Sequence, residues 1–121
     1  MDFFIMLARF FRRLVGIGTF DPEACIGYLL DKSDSEGNRV AAAESLGMGE
    51  LGPNVSRAVD ALFQVACDQE DLLNVREEAA ESLGVIWSQI GVDRARFVRL
   101  PDDMKIELLA TSSGAWKAGL E

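Results

Sequence analysis

Asn38-Arg-Val-Ala-Ala-Ala-Glu-Ser-Leu-Gly47 recurs further along the chain as Val75-Arg-Glu-Glu-Ala-Ala-Glu-Ser-Leu-Gly84. Seven of the ten aligned pairs are identical at an offset of 37 residues: Arg39 with Arg76, and the block Ala42 to Gly47 with Ala79 to Gly84. A repeated hexapeptide in a chain of 121 residues marks a structural period, because each unit of a repeat protein buries its apolar face only against its neighbours. A second alignment lies upstream of each copy. Asp21-Pro-Glu-Ala-Cys-Ile-Gly-Tyr-Leu-Leu30 matches Asn54-Val-Ser-Arg-Ala-Val-Asp-Ala-Leu-Phe63 at an offset of 33, with Asp21 and Asn54 both placed to cap a helix start. The offsets differ by four residues, close to one helical turn, so the helix after Asn54 is expected to run one turn longer than its counterpart.

Each unit therefore reads as a helix pair. One helix carries Arg-x-x-Ala-Ala-Glu-Ser-Leu-Gly. The other carries an apolar stripe at helical spacing, Val55, Ala58, Val59, Leu62 and then Val65 or Ala66. The alanine pairs leave little side chain between neighbouring helices, while Leu46 and Leu83 one turn on fill the core. Gly47-Met-Gly-Glu-Leu-Gly-Pro53 reads as a stop, whereas Val85 to Ile90 continues its helix up to Gly91.

The run Val-Arg-x-x-Ala-Ala-x-Ser-Leu-Gly, with a partner helix of the type Ala-x-x-x-Leu, resembles bacterial HEAT-like repeats of the short type also seen in phycobilin lyases. The resemblance covers about residues 21–91. It implies an all-α fold, a short right-handed alpha-alpha superhelix of about three helix pairs, and is almost silent on function; the extended face of stacked helix pairs suits binding of another protein. Two enzyme families of similar build serve as checks. Deoxyhypusine hydroxylases bind iron through His-Glu pairs, and this chain has no His; HEAT-like alkylpurine DNA glycosylases have a basic groove, and this chain is acidic.

The expected layout is a single domain over residues 1–112: an N-terminal capping helix within 1–18, repeats over 21–91, and a C-terminal capping region over 92–112, with a flexible tail at 113–121. The helices are expected to pair as 2–15 with 21–31, 37–50 with 54–68, and 73–90 with 101–111. Pro101 sits at the first turn of the last helix, Asp102 and Asp103 lie near its positive end, and Met104 and Leu108 face inward. In residues 1–15, Phe4, Leu7, Phe11 and Leu14 share one face while Asp2, Arg9, Arg12 and Arg13 cluster opposite. Arg9 ends the uncharged stretch Phe3 to Ala8, which is far too short for a membrane span. An amphipathic helix capping the core is the reading, with self-association through it as a further possibility.

Composition removes several chemistries. With no His there is no Ser-His-Asp triad, no Cys-His pair and no imidazole acid-base group near neutral pH. Cys25 and Cys67, 42 residues apart, form neither a disulfide framework nor a zinc site, so each reads as a small buried hydrophobe in a cytoplasmic protein. Gly47-Met-Gly-Glu-Leu-Gly52 matches GxGxxG in letters only, since an Ala-rich helix precedes it and Pro53 follows it where a nucleotide fold needs a strand and then a helix. Glu77, Glu78 and Glu81, with Asp68, Glu70 and Asp71, lack calcium-loop spacing and read as a solvated acidic face rather than a metal site. Arg94, Arg96 and Arg99 around Phe97 read as solvating a short connecting turn. No catalytic residue, cofactor or metal is expected.

The formal charge is −8, from 12 basic and 20 acidic residues. It is localised: residues 21–91 carry four basic against fourteen acidic side chains, a net of −10. That excess argues against nucleic acid as a partner and for a basic protein, captured through an acidic face. The expected partner-binding residues are the polar and acidic Asp60, Gln64, Glu77, Glu78 and Glu81, with Tyr28 and Trp87, each of which reads either as core or as an exposed aromatic anchor. The favoured role is an immunity or inhibitor protein masking a basic, nuclease-like toxin. A scaffold or adaptor subunit is the alternative, and a lyase-like helper acting on a small molecule stands further off.

Overall fold

The computed structural model describes residues 20–111, and every regular element among them is helical. They are α1 (Pro22–Leu30), α2 (Glu36–Met48), a 3-10 turn (Gly52–Asn54), α3 (Val55–Cys67), α4 (Leu73–Ile90), α5 (Arg94–Arg99) and α6 (Asp102–Thr111). The amphipathic segment 1–15 and the tail 113–121 lie outside the described residues.

Local chemistry sets the boundaries. The Asp21 carboxylate accepts the backbone N–H of Glu23 at 3.1 Å, with Pro22 in the first turn where its missing N–H costs nothing. Ser35 caps α2 through the N–H of Asn38. Asn54, by contrast, makes no side-chain cap bond, because the 3-10 turn before α3 already directs its backbone. Gly91 ends α4 at φ 101°, the left-handed region that a side chain disfavours. α1 has 9 residues and α3 has 13, the one-turn difference expected from the two offsets.

α1 packs against α2, and α3 against α4, forming two helical hairpins. The hairpins stack in register: α2 lies along α4, α1 touches α3, and α6 closes the far side of α4. The expected pairing of 37–50 with 54–68 is corrected here, since α2 meets α1 and α4 rather than α3. The physical reason lies in the small-residue stripe. Ala42, Ala43, Ala79 and Ala80 are all buried and bring the two copies of the motif face to face. Ser82 Oγ donates to the Ala43 carbonyl across this contact at 2.7 Å. A Cβ placed on Gly47 would stand 2.6 Å from Ser82 Oγ and 2.8 Å from its Cβ. Gly47 is thus a close-approach residue in the last turn of α2, and the expected stop falls within Gly47 to Pro53, at Met48 with Gly49 as the cap.

Leu29, Leu46, Leu62, Leu83, Met104 and Leu108 form the centre of the core with Trp87, each at most 1% exposed. Burying one such Leu contributes roughly 1.5–3 kcal/mol.

The turns that join each hairpin repeat as faithfully as the helices. Asp31 and Asp68 hold nearly the same extended backbone (φ −83°, ψ 98° and φ −82°, ψ 99°). Each accepts the N–H two residues on, from Ser33 and Glu70. Asp34 and Asp71 follow, each accepting the next residue's N–H at 2.8 Å. Asp-x-x-Asp is therefore part of the period.

From these turns comes the strongest polar link between hairpins. Arg39 Nε donates to the Leu29 carbonyl at 3.0 Å, and its two terminal nitrogens grip the Asp71 carboxylate at 2.7 Å each. Both side chains are 2% exposed. The guanidinium holds the Asp71 carboxyl below the usual carboxylate range. Arg76 repeats half of this: it donates to the Ala66 carbonyl at 3.3 and 3.2 Å, but its acid is Asp103 on α6, 3.7 Å away and half-exposed. At the other end, Asn38 Nδ2 donates to Asp34, the equivalent of Asp71, at 2.9 Å.

Candidate partner-binding surface

The structure divides the seven expected partner-binding residues into three groups. Tyr28 on α1, and Asp60 and Gln64 one turn apart on α3, are exposed in the layer where α1 touches α3. Glu77 and Glu81 are half-buried on α4. Glu78 and Trp87, at 2% and 1% exposure, belong to the interior. For Glu78 the expectation of an exposed acidic contact is corrected, and of the two readings of Trp87 the core one holds: both fall on the face of α4 that packs inward, Trp87 one turn beyond Leu83. Asp71 also leaves the expected solvated face, since its carboxylate is spent on Arg39.

Glu81 meets Glu107 across the α4 and α6 contact. A side-chain hydrogen bond donated by the protonated Glu107 to Glu81, aided by burial and by the charge on Glu81, raises the Glu107 carboxyl to about 7. Burial, followed by Glu107 and Asp103, pushes Glu77 in the same direction. A shared proton between two carboxyls is the chemistry of this face. Among the described residues no group of three potential ligands has metal-binding geometry.

A second feature lies where α3, the end of α4 and the start of α5 converge. A cleft of about 300 Å³ opens there. Val59 and Trp87 form its buried walls, while Ile90, 60% exposed, stands at its edge. Asp60, Asp93 and Arg96 supply its charges. The Arg96 guanidinium pairs with Asp60, lies 3.5 Å from Asp93 through Nε, and sits 5.6 Å from the centre of the Phe63 ring. Arg99 lies over the same ring at 5.3 Å. The arginines expected to solvate a loop thus form the short helix α5, capped by Asp93, and two of them stack on an aromatic face. Arg96 was missed as a site residue; the one available signal was its spacing from Asp93, an acid three residues ahead of a base.

Cys25 and Cys67 are both half-buried and free. Burial pushes the Cys67 thiol up, away from the thiolate that a nucleophile requires. No helix among the described residues is long and apolar enough to cross a membrane.

Comparison with protein families, with curated proteins and with solved structures returns no match.

Proposed function

We propose that the chain is a non-catalytic protein-binding module, a short HEAT-like right-handed superhelix whose acidic surface masks a basic partner, in the manner of a cytoplasmic immunity or inhibitor protein. The observation that carries this reading is the charge balance of the described residues. Residues 20–111 hold eight basic against eighteen acidic side chains, a net of −10. Six of the eight basic groups are already engaged in ion pairs: Lys32, Arg39, Arg57, Arg76, Arg96 and Lys105. Little positive charge is left to offset the remaining carboxylates, so the field around the molecule is negative. Such a field speeds the capture of a positively charged protein and can occupy a surface built for phosphate.

Stacked hairpins support the same reading, because they extend a surface without closing a deep pocket. The test is kinetic. Charge reversal at Glu77 or Glu81 is expected to slow association with the basic partner captured from the native host, as is added salt. An association rate indifferent to both would remove the proposal and favour a neutral scaffold or adaptor role.

A further inference from the structure

Arg96 stands in the wall of the cleft between α3 and the end of α4, and the groups around its guanidinium suit that chemistry. Asp60 and Asp93 reach the Arg96 group through different nitrogens, and the Phe63 ring, which does not line the cleft and is shared with Arg99, lies 5.6 Å from it. A planar fork with two acids and an aromatic face suits arginine better than lysine, whose ammonium is a compact, strongly hydrated point charge. Val59, Trp87 and Ile90 line the neighbouring space with the apolar surface that an arginine's methylenes would cover.

Arg96 itself is lightly held. Its side chain is 30% exposed, its ion-pair partners Asp60 and Asp93 are 60% and 46% exposed, and α5 contains no buried residue. Exposed ion pairs of this kind contribute little, so one arginine can be exchanged for another at small cost. We infer that this cleft is the seat for an arginine side chain of the protein partner, with Arg96 as its occupant in the free chain. The inference rests on the basic-partner reading above and specifies where and how such a partner is gripped.

The test is titration of the isotopically labelled full chain with N-acetyl-arginine-N-methylamide, and in parallel with the lysine compound, at constant ionic strength and followed by amide and indole NMR. The Trp87 indole signal is assigned by comparison with Trp116→Phe. Expected are shifts concentrated on Val55–Asp60 and Trp87–Arg96, larger for the arginine compound. Affinity is expected to rise about fivefold in Arg96→Ala, which vacates the seat, and to fall about fivefold in Asp60→Asn. Shifts spread evenly over the acidic face of α4 and α6, equal response to lysine, or affinity unchanged in both variants would overturn the inference. The two proposals fail separately. If the host's basic partner binds Asp60→Asn as tightly as the wild type, the seat is wrong and the masking reading stands; if no basic partner is captured, the masking reading itself falls.

Discussion

Replacing Asp71 by Ala removes the acid of a pair in which both side chains are 2% exposed. The loss is not merely two hydrogen bonds of 2.7 Å. Arg39 would keep only the Leu29 carbonyl for a guanidinium that water does not reach, and an uncompensated buried charge costs about 3–5 kcal/mol. The next repeat provides a matched control. Arg76 is buried too, at 6% exposure, but its acid, Asp103, stands 3.7 Å away and 55% exposed, beyond hydrogen-bond range and open to solvent. Asp103→Ala should therefore cost no more than about 1 kcal/mol. Urea unfolding followed by far-UV circular dichroism reads both variants, provided that the slope with denaturant is unchanged. The expected result is a gap of at least about 2 kcal/mol between them. Equal costs, or an Asp71→Ala variant within about 1 kcal/mol of wild type, would refute the view that this pair ties the hairpins together.

Two further predictions address stability. Glu107 binds its proton more tightly in the folded chain than its ordinary value of 4.5 allows, up to about 7. Its contribution is thus complete below about 4.5 and is lost as pH rises through 7. Asp71 acts oppositely: its carboxyl is depressed from 3.8, and its contribution is lost as pH falls below that value. Thermal unfolding should accordingly show a maximum near mildly acidic pH and a decline toward pH 8. Glu107→Gln should flatten that decline, by on the order of 1 kcal/mol after allowing for solvent screening of this partly exposed group; parallel profiles for the two proteins would count against the shared proton. Gly47→Ala gains helix propensity of about 1 kcal/mol but drives a methyl to within 2.8 Å of Ser82 Cβ, so a net loss of about 1–2 kcal/mol is expected. Ser82→Gly in the same chain should recover much of it, and a stabilised Gly47→Ala variant would show that α2 and α4 are not in close contact there.

Much of the helical layout was legible because it is written in period. Leu73–Ile90 coincides with the expected span 73–90, and the other described helices except α5 start and end within two residues of expectation. The one-turn excess of α3 followed from two offsets and nothing else. What escaped were relations between distant charges. Asp71 reads as one more solvated carboxylate until the fold brings Arg39, 32 residues away, against it. A signal did exist, since Asp31-Lys-Ser-Asp34 and Asp68-Gln-Glu-Asp71 share the offset of 37 that aligns Arg39 with Arg76. The short α5 left no such trace, because it buries no side chain and so has no apolar period. Glu78 was misplaced, and Trp87 left open between core and surface, for a related reason: on a helix such as α4, which packs against α2, α3 and α6, few faces remain for solvent.

The account turns on the negative field of the folded region, and the measurement that probes it most directly is the association rate with the partner captured from the native host, across a range of salt. A basic partner is predicted, with a rate that falls about tenfold or more between 50 and 500 mM salt. A rate that stays constant over that range, or a partner that is itself acidic, would contradict the account.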